Sequence, residues 1–267
     1  MNRDENILWY DFSSFPEITV IPLADVHLGA QESHIQAFTK LVNEIATQPN
    51  TFVTLQGDLI DNGTRNSVTN IFKATMPPSQ QKREMAAVLE PIRSKILCIL
   101  PGNHERRNKD VDDDPAYDIA TKLDIEDKYR ESIAFIRIAV GAQKGKQLRS
   151  NGGGKPYSYY LACVHGSGGG GTAGAAVTRA DYYSQSLDGI DVYIHGHTHK
   201  QYSYRGSKLV VDYANKLVRQ RPTLIMGAGS WLGYVGYPID KGLRPVAMPG
   251  ANKLLLHGTK YRFEAIV

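Results

Sequence analysis

The chain has 267 residues, enough for one large domain or two small ones. Apolar residues make up 42% and charged residues 22%, ordinary values for a water-soluble globular protein. A net charge of +4 accommodates acidic substrates such as phosphates, but no Lys/Arg block or basic tail marks a dedicated nucleic-acid binder.

Met1 to Asn6 leads into mixed sequence without the apolar core of a signal peptide, and no run approaches the ~18 apolar residues of a membrane span. Cys98 and Cys163 each sit inside an apolar, strand-like run and read as buried reduced thiols. A cytoplasmic or other reducing location is expected, and no protein partner can be inferred.

In chain order, Ile18 to Leu23 reads as a buried strand ending at Asp25-Val26-His27. Ser33 to Gln36 resembles a capping box, with Ser33 as N-cap and His34 facing solvent. Ile35, Phe38, Leu41, Val42 and Ile45 then recur at helical spacing and stop before Pro49. Thr51 to Leu55 is the next strand and delivers Gly57-Asp58. A strand, a crossover helix and another strand imply parallel pairing in a layered α/β core.

Thr64 to Ser94 reads as helical, broken at Pro77-Pro78, with Met85, Val88, Leu89 and Ile92 on one face of the second helix. Lys95 to Leu100 forms a third buried strand, ending at Gly102-Asn103-His104-Glu105. Asp110 to Asp114 reads as a solvated loop before a short helix near Ala116 to Leu123. Ile133 to Val140 and Tyr157 to Val164 are strands joined by a hairpin tipped with Asn151-Gly152-Gly153-Gly154. Alternation of Tyr159, Leu161 and Cys163 with Tyr160, Ala162 and Val164 implies that both faces of the second strand are covered.

His165-Gly166 opens a glycine-rich loop to Gly174, read first as a flexible rim and second as a phosphate-binding nest, followed by a helix to Ser186. Packing of that helix accounts for Tyr182 and Tyr183 better than base stacking does. Asp191 to Ile194 feeds His195-Gly196-His197-Thr198-His199. Short β segments follow near Lys208 to Val211, Thr223 to Met226 and Lys253 to Val267, with His257 in a hairpin turn. No linker divides the halves, so residues 1–267 are expected to form one domain. Its motif-bearing core spans about 18–200 and a β-rich completion covers 201–267.

Residues i and i+2 of a strand point to the same side. Asp25 with His27, and His197 with His199, are therefore expected to converge on one ion as their strands end. Crevices at the carboxyl ends of strands are the usual ligand location in open α/β sheets. Carboxylate, imidazole and carboxamide oxygen suit Mn, Fe, Zn or Ni better than Ca or Mg, and absent thiolates argue against a structural zinc cage.

The ordered set of Asp25-x-His27, Gly57-Asp58, Gly102-Asn103-His104-Glu105, His165 and Gly196-His197-x-His199 resembles the calcineurin-like metallophosphoesterase superfamily. The resemblance implies an αββα sandwich: two facing mixed β-sheets flanked by helices, with a binuclear metal site at the strand C-termini. It also implies that Asp25, His27, Asp58 and His199 hold one ion and Asp58, Asn103, His165 and His197 the other. Two divalent transition-metal ions, with manganese first, would present a bridging hydroxide to a phosphomonoester or phosphodiester. His104 is carried over as a catalytic group outside the ligand set. A nucleotide or nucleic-acid substrate stays open, with a DNA- or RNA-processing nuclease as the alternative within the class. A catalytically silent scaffold would be expected to have lost ligands, and none is missing here.

Arg106 and Arg107 are candidate substrate contacts, since arginine recognises phosphate bidentately. Asp61 reads as a helix cap or as a support for the ligands. Glu105 and His195 are expected to support the site from behind rather than to ligate.

Overall fold

The computed structural model describes residues 5–64, 67, 73–107, 113–141, 156–168, 172–234, 239 and 249–266. Two β-sheets face each other. One has five strands in the order β11-β10-β2-β3-β4, formed by β2 (Glu17–Leu23), β3 (Thr51–Leu55), β4 (Ile96–Ile99), β10 (Lys253–His257) and β11 (Phe263–Ile266). The other has six in the order β1-β5-β6-β7-β9-β8, from β1 (Leu8–Phe12), β5 (Ile133–Val140), β6 (Tyr157–Val164), β7 (Val192–His195), β8 (Gln201–Asp212) and β9 (Leu217–Ala228). β2, β3 and β4 pair in parallel, whereas β10 runs antiparallel to β2 and joins the C-terminal segment to the first sheet.

Period-2 alternation builds the layers. In β2, Ile18 and Val20 enter the layer between the sheets, while Ile21 and Leu23 face the helices. On the helix side they meet Phe38, Val42 and Ile45 of α1 (Ile35–Thr47), Met85 and Leu89 of α2 (Pro78–Leu89), and Ile119 of α3 (Pro115–Lys122). Each such side chain contributes about 1.5–3 kcal/mol when fully buried. In β6, Tyr159, Leu161 and Cys163 line the inter-sheet layer. Ala162 and Val164 turn outward against Ala176 and Ala180 of α4 (Ala173–Gln185). Four layers result, in agreement with the αββα expectation.

Both cysteines are buried and free in the same inter-sheet layer. Leu97 and Cys98 both reach that layer because β4 carries a bulge. Val53 pairs with Ile96 but Thr54 pairs with Cys98, which leaves Leu97 without an opposite number.

Several local expectations need correction. Ser33 does not cap α1: His34 occupies the N-cap without a side-chain bond, and the Ser33 hydroxyl donates to Val26 O instead, at 2.7 Å. Thr64, Ser67 and residues 74–77 are not helical; residues 65–66 and 68–72 lie outside the described set. The short segments near 208–211 and 223–226 are parts of two twelve-residue strands. β1 had no expectation attached to it: Leu8, Tyr10 and Phe12 turn towards the core, but the exposed Trp9 between them hides the alternation in the sequence. His257 ends β10 rather than sitting in a turn, between the carboxylates of Glu17 and Glu264, each at 2.8 Å. The 151–154 hairpin tip and most of the Asp110–Asp114 stretch lie outside the described residues, as does the centre of the glycine loop.

Candidate metal centre

The strands stop before the candidate ligands begin. β2 ends at Leu23 and β7 at His195, so the ligands sit on loops, where the i, i+2 strand rule no longer applies. Asp25, His27, Asp58, His197 and His199 all adopt left-handed backbone conformations, with φ of 55°, 50°, 50°, 63° and 56°. Each costs on the order of 1 kcal/mol relative to ordinary backbone. Asp and His are among the non-glycine residues that tolerate this region best.

Neighbouring loops hold the conformation in place. Val26 and His27 donate their amides to Asp58 O at 2.8 and 2.9 Å. Asp25 O accepts from Trp231 N at 3.0 Å and from the Ser230 hydroxyl at 3.1 Å. The Asp25 carboxylate accepts from His197 N at 2.9 Å, tying the first motif to the last. At Gly57, a Cβ would come within 2.2 Å of Gly102 N, and at Gly102 within 2.1 Å of Asp58 Oδ1. Glycine is what allows these two motif loops to touch.

The result is two adjoining clusters. In one, His199 Nε2 lies 3.2 Å from Asp25 Oδ1 and 3.4 Å from His27 Nε2. In the other, His165 Nε2 lies 3.4 Å from Asp58 Oδ2, 3.0 Å from Asn103 Oδ1 and 3.2 Å from His197 Nδ1. Asp58 Oδ2 also lies 3.8 Å from His27 Nε2, so it stands between the two sets. The strand-based expectation that His197 and His199 share one ion is thereby corrected: each joins a different cluster.

These groups fit divalent cations. Asp25, His27 and His199 offer ligand atoms within 4.8 Å of one another, as do Asp58, His165 and His197, and a third, overlapping group of the same kind joins His104 to His27 and Asp58. Asp25 Oδ1 is buried and accepts no hydrogen bond, a costly state for a carboxylate that lacks a cation. The His165 ring has its Nδ1 on Gln56 O at 2.7 Å, which fixes the tautomer that leaves Nε2 open to a ligand. Without a cation, burial lowers the His27 imidazole well below its usual range. Burial also acts to lower His165, but the Asp58 charge and hydrogen bond outweigh it and push His165 up to about 9.

His104 stands beside the clusters, its Nε2 3.9 Å from Asp58 Oδ2 and its Nδ1 2.8 Å from Asp61 O and 3.3 Å from Asp61 Oδ1. Burial works to lower its imidazole, yet Asp58 and Asp61 raise it overall. Asp61 caps no helix among the described residues; it serves His104. Arg107 places Nη2 2.8 Å from His104 Nε2 and Nη1 2.9 Å from Asp61 O, whereas Arg106 donates to Glu131 O, away from the clusters.

Glu105 is buried and binds backbone amides rather than a histidine. It accepts from Asp58, Leu59 and Gly102 at 2.8 Å and from Ile60 at 3.2 Å. His195 is buried at the end of β7 against Gly166, where a Cβ would come within 2.1 Å of its Nε2, and it joins neither cluster. The braces from Ser230 and Trp231 were not anticipated. The flanking Gly229 and Gly233 mark a tight segment, but nothing in that stretch points to Asp25. Tyr182 is 75% exposed and packs little, contrary to expectation, while Tyr183 stacks on Tyr193 with ring centroids 6.3 Å apart.

A model of the calcineurin-like phosphoesterase family matches residues 18–201, and the chain belongs to that family. No curated protein matches it. A conserved uncharacterized protein from Streptococcus pneumoniae TIGR4, described as a predicted phosphoesterase, is similar at 11% identity and a TM-score of 0.36, over 95% of this chain and 91% of that one. A second solved structure shares 12% identity over 94% and 98% of the two chains, also at a TM-score of 0.36. Such low scores add nothing to the family assignment. Family and clustered ligand groups together support a metal-dependent phosphoesterase. No helix among the described residues is long and apolar enough to cross a membrane.

Proposed function

We propose that the protein hydrolyses a phosphate ester at a site built for two divalent transition-metal ions. Asp25, His27, Asp58 and His199 would hold one ion, and Asp58, Asn103, His165 and His197 the other. The position of Asp58 between the clusters carries this reading, because a carboxylate there can serve both ions at once. Such ions, when bound, supply Lewis acidity to a phosphoryl oxygen and acidify water. The mixed oxygen and imidazole donors suit manganese, zinc, iron or nickel, and manganese comes first only by the family resemblance.

The chain's own groups supply the rest. His104, its Nδ1 held by the Asp61 carbonyl and carboxylate, would as an imidazolium donate its Nε2 proton to the departing ester oxygen, which requires Arg107 to leave Nε2 for the phosphate. Arg107, whose Nη2 lies 2.8 Å from His104 Nε2, would bind a non-bridging phosphate oxygen, and Arg106, which donates to Glu131 O, is the weaker candidate. Glu105 keeps the Asp58 loop in its left-handed conformation. Pairing of β10 with β2 supports one domain over 1–267, and two buried thiols fit a reducing, cytoplasmic setting.

A panel of a nitrophenyl phosphomonoester, its bis-ester, cyclic nucleotides and labelled DNA tests the reading. It should be run with Mn²⁺, Zn²⁺, Ni²⁺ and Mg²⁺ and with Asp58→Asn as control. Metal-dependent turnover that the control lacks is expected, and the preferred member assigns mono- or diesterase action. Turnover no greater than the control with every metal would overturn the proposal.

A further inference from the structure

One polar side chain is buried in the apolar stripe of α2. Gln81 lies on the same helical face as Met85 and Leu89, and all three are fully buried. A carboxamide in such a place needs partners for both of its ends. Gln81 Oε1 accepts from Asn62 N at 2.8 Å, and Nε2 donates to Met76 O at 2.9 Å. One partner is a donor and the other an acceptor, which fixes the orientation of the amide. The side chain also fills the space beside Gly29, where a Cβ would come within 2.2 Å of Gln81 Nε2. Gln81 is thus held between the loops that follow β2 and β3.

The group that Gln81 holds leads directly to His104. The Asn62 amide and the Asp61 carbonyl belong to one peptide unit, which is planar and rigid. That carbonyl faces His104 Nδ1 at 2.8 Å and Arg107 Nη1 at 2.9 Å. A carbonyl only accepts, so Nδ1 carries a proton and Nε2 is the nitrogen that exchanges one. Rotation of the peptide plane would swing the oxygen away from the ring, and the anchored N–H on its far side opposes that rotation. Asn62 adds a second link, its Nδ2 donating to His104 O at 2.8 Å. Asn62 is itself fully buried in a left-handed conformation, φ 46°, which persists only with outside support.

We propose that Gln81 is a positioning residue for the reaction: through the Asp61–Asn62 peptide it fixes the carbonyl that orients the His104 ring, and so the direction in which Nε2 delivers its proton. The inference rests on the proton-donor reading of His104. Helix packing alone would be met by an apolar side chain, as it is at Met85 and Leu89. Gln81 bonds Asn62 and Met76, neither of them a candidate ligand, so its loss should spare metal binding.

Steady-state kinetics of the Mn²⁺-loaded full-length protein on an alkyl and a nitrophenyl phosphate ester tests this. Gln81→Met, close in length but without the amide, should keep the metal content and circular dichroism of wild type. Its kcat on the alkyl ester should fall roughly tenfold, a fraction of the ~10²–10⁴-fold tied to the acid itself, and less on the nitrophenyl ester. Gln81→Glu keeps an oxygen facing Asn62 N and should recover kcat. Asn62→Asp leaves α2 intact but removes the donor to His104 O. It should show the same dependence on leaving group, and it decides the matter if Gln81→Met does not fold. Wild-type kcat in Gln81→Met, equal losses on both esters, or no recovery in Gln81→Glu would overturn the inference. His104→Ala, assayed alongside, separates the two readings. If it loses equally on both esters, the proton-donor reading fails and this inference falls with it. If it shows the split while Gln81→Met and Asn62→Asp do not, this inference alone falls.

Discussion

Glu105 holds Asp58 from behind: its Oε2 accepts the Asp58 backbone amide at 2.8 Å, while the Asp58 carboxylate points the other way, 3.4 Å from His165. Burial and the nearby Asp58 charge raise the Glu105 carboxyl, and bonds from Gly102 and Ile60 oppose that rise. Glu105→Gln would keep the shape but turn an NH₂ group towards amide donors. A buried, charge-assisted bond lost in this way costs on the order of 2 kcal/mol. Thermal unfolding should show that loss, and metal titration should show weaker binding because Asp58 is no longer held. An unchanged melting temperature would contradict the brace.

His104 is expected to act on the leaving oxygen rather than on the metal. His104→Ala should keep the metal content of wild type and lose ~10²–10⁴-fold in kcat on a poor leaving group. A nitrophenolate leaving group, which needs little protonation, should suffer less. Equal losses on both substrates would remove the proton-donor role.

The two adjacent arginines should behave differently. Arg107 sits beside His104 Nε2, whereas Arg106 is turned to Glu131 O. Arg107→Ala is expected to lower kcat/KM by roughly tenfold or more, on the scale of one charge-assisted hydrogen bond. Arg106→Ala should stay within about twofold. Steady-state kinetics on both variants decides the matter, and a reversed ranking would refute the assignment.

The metal-free protein should lose stability as pH rises. His165 is raised from 6.5 in the unfolded chain to about 9 in the fold. A raised histidine contributes stability that is fully present below 6.5 and disappears as pH climbs through about 9. Calorimetry in chelator should therefore show a falling melting temperature across that window. Mn²⁺ should reverse the trend, since a metal requires the neutral imidazole and binds better as the proton leaves.

Much of the site was legible because its residue types are chemically unusual for the ends of buried strands. Asp25, His27, Asp58, Asn103, His165, His197 and His199 do come together in space. Their distribution between two clusters followed from the resemblance, not from strand geometry. The strand rule failed because β2 and β7 stop at Leu23 and His195, and five of the seven residues then turn left-handed. Backbone handedness of that kind is set by contacts from distant loops, such as Trp231 N on Asp25 O, which local periodicity cannot register. The long β8–β9 hairpin escaped for a related reason. Its outer half is exposed on both faces, so it lacks the alternation by which a half-buried strand is recognised.

The central claim is that Asp58 joins two metal sites, and metal stoichiometry tests it most directly. Protein loaded with Mn²⁺, desalted and assayed by plasma emission spectrometry should carry two ions per chain. Asp58→Ala should fall below one while the fold persists by circular dichroism. A wild-type chain that retains a single ion, or an Asp58→Ala chain that still holds both, would contradict the account.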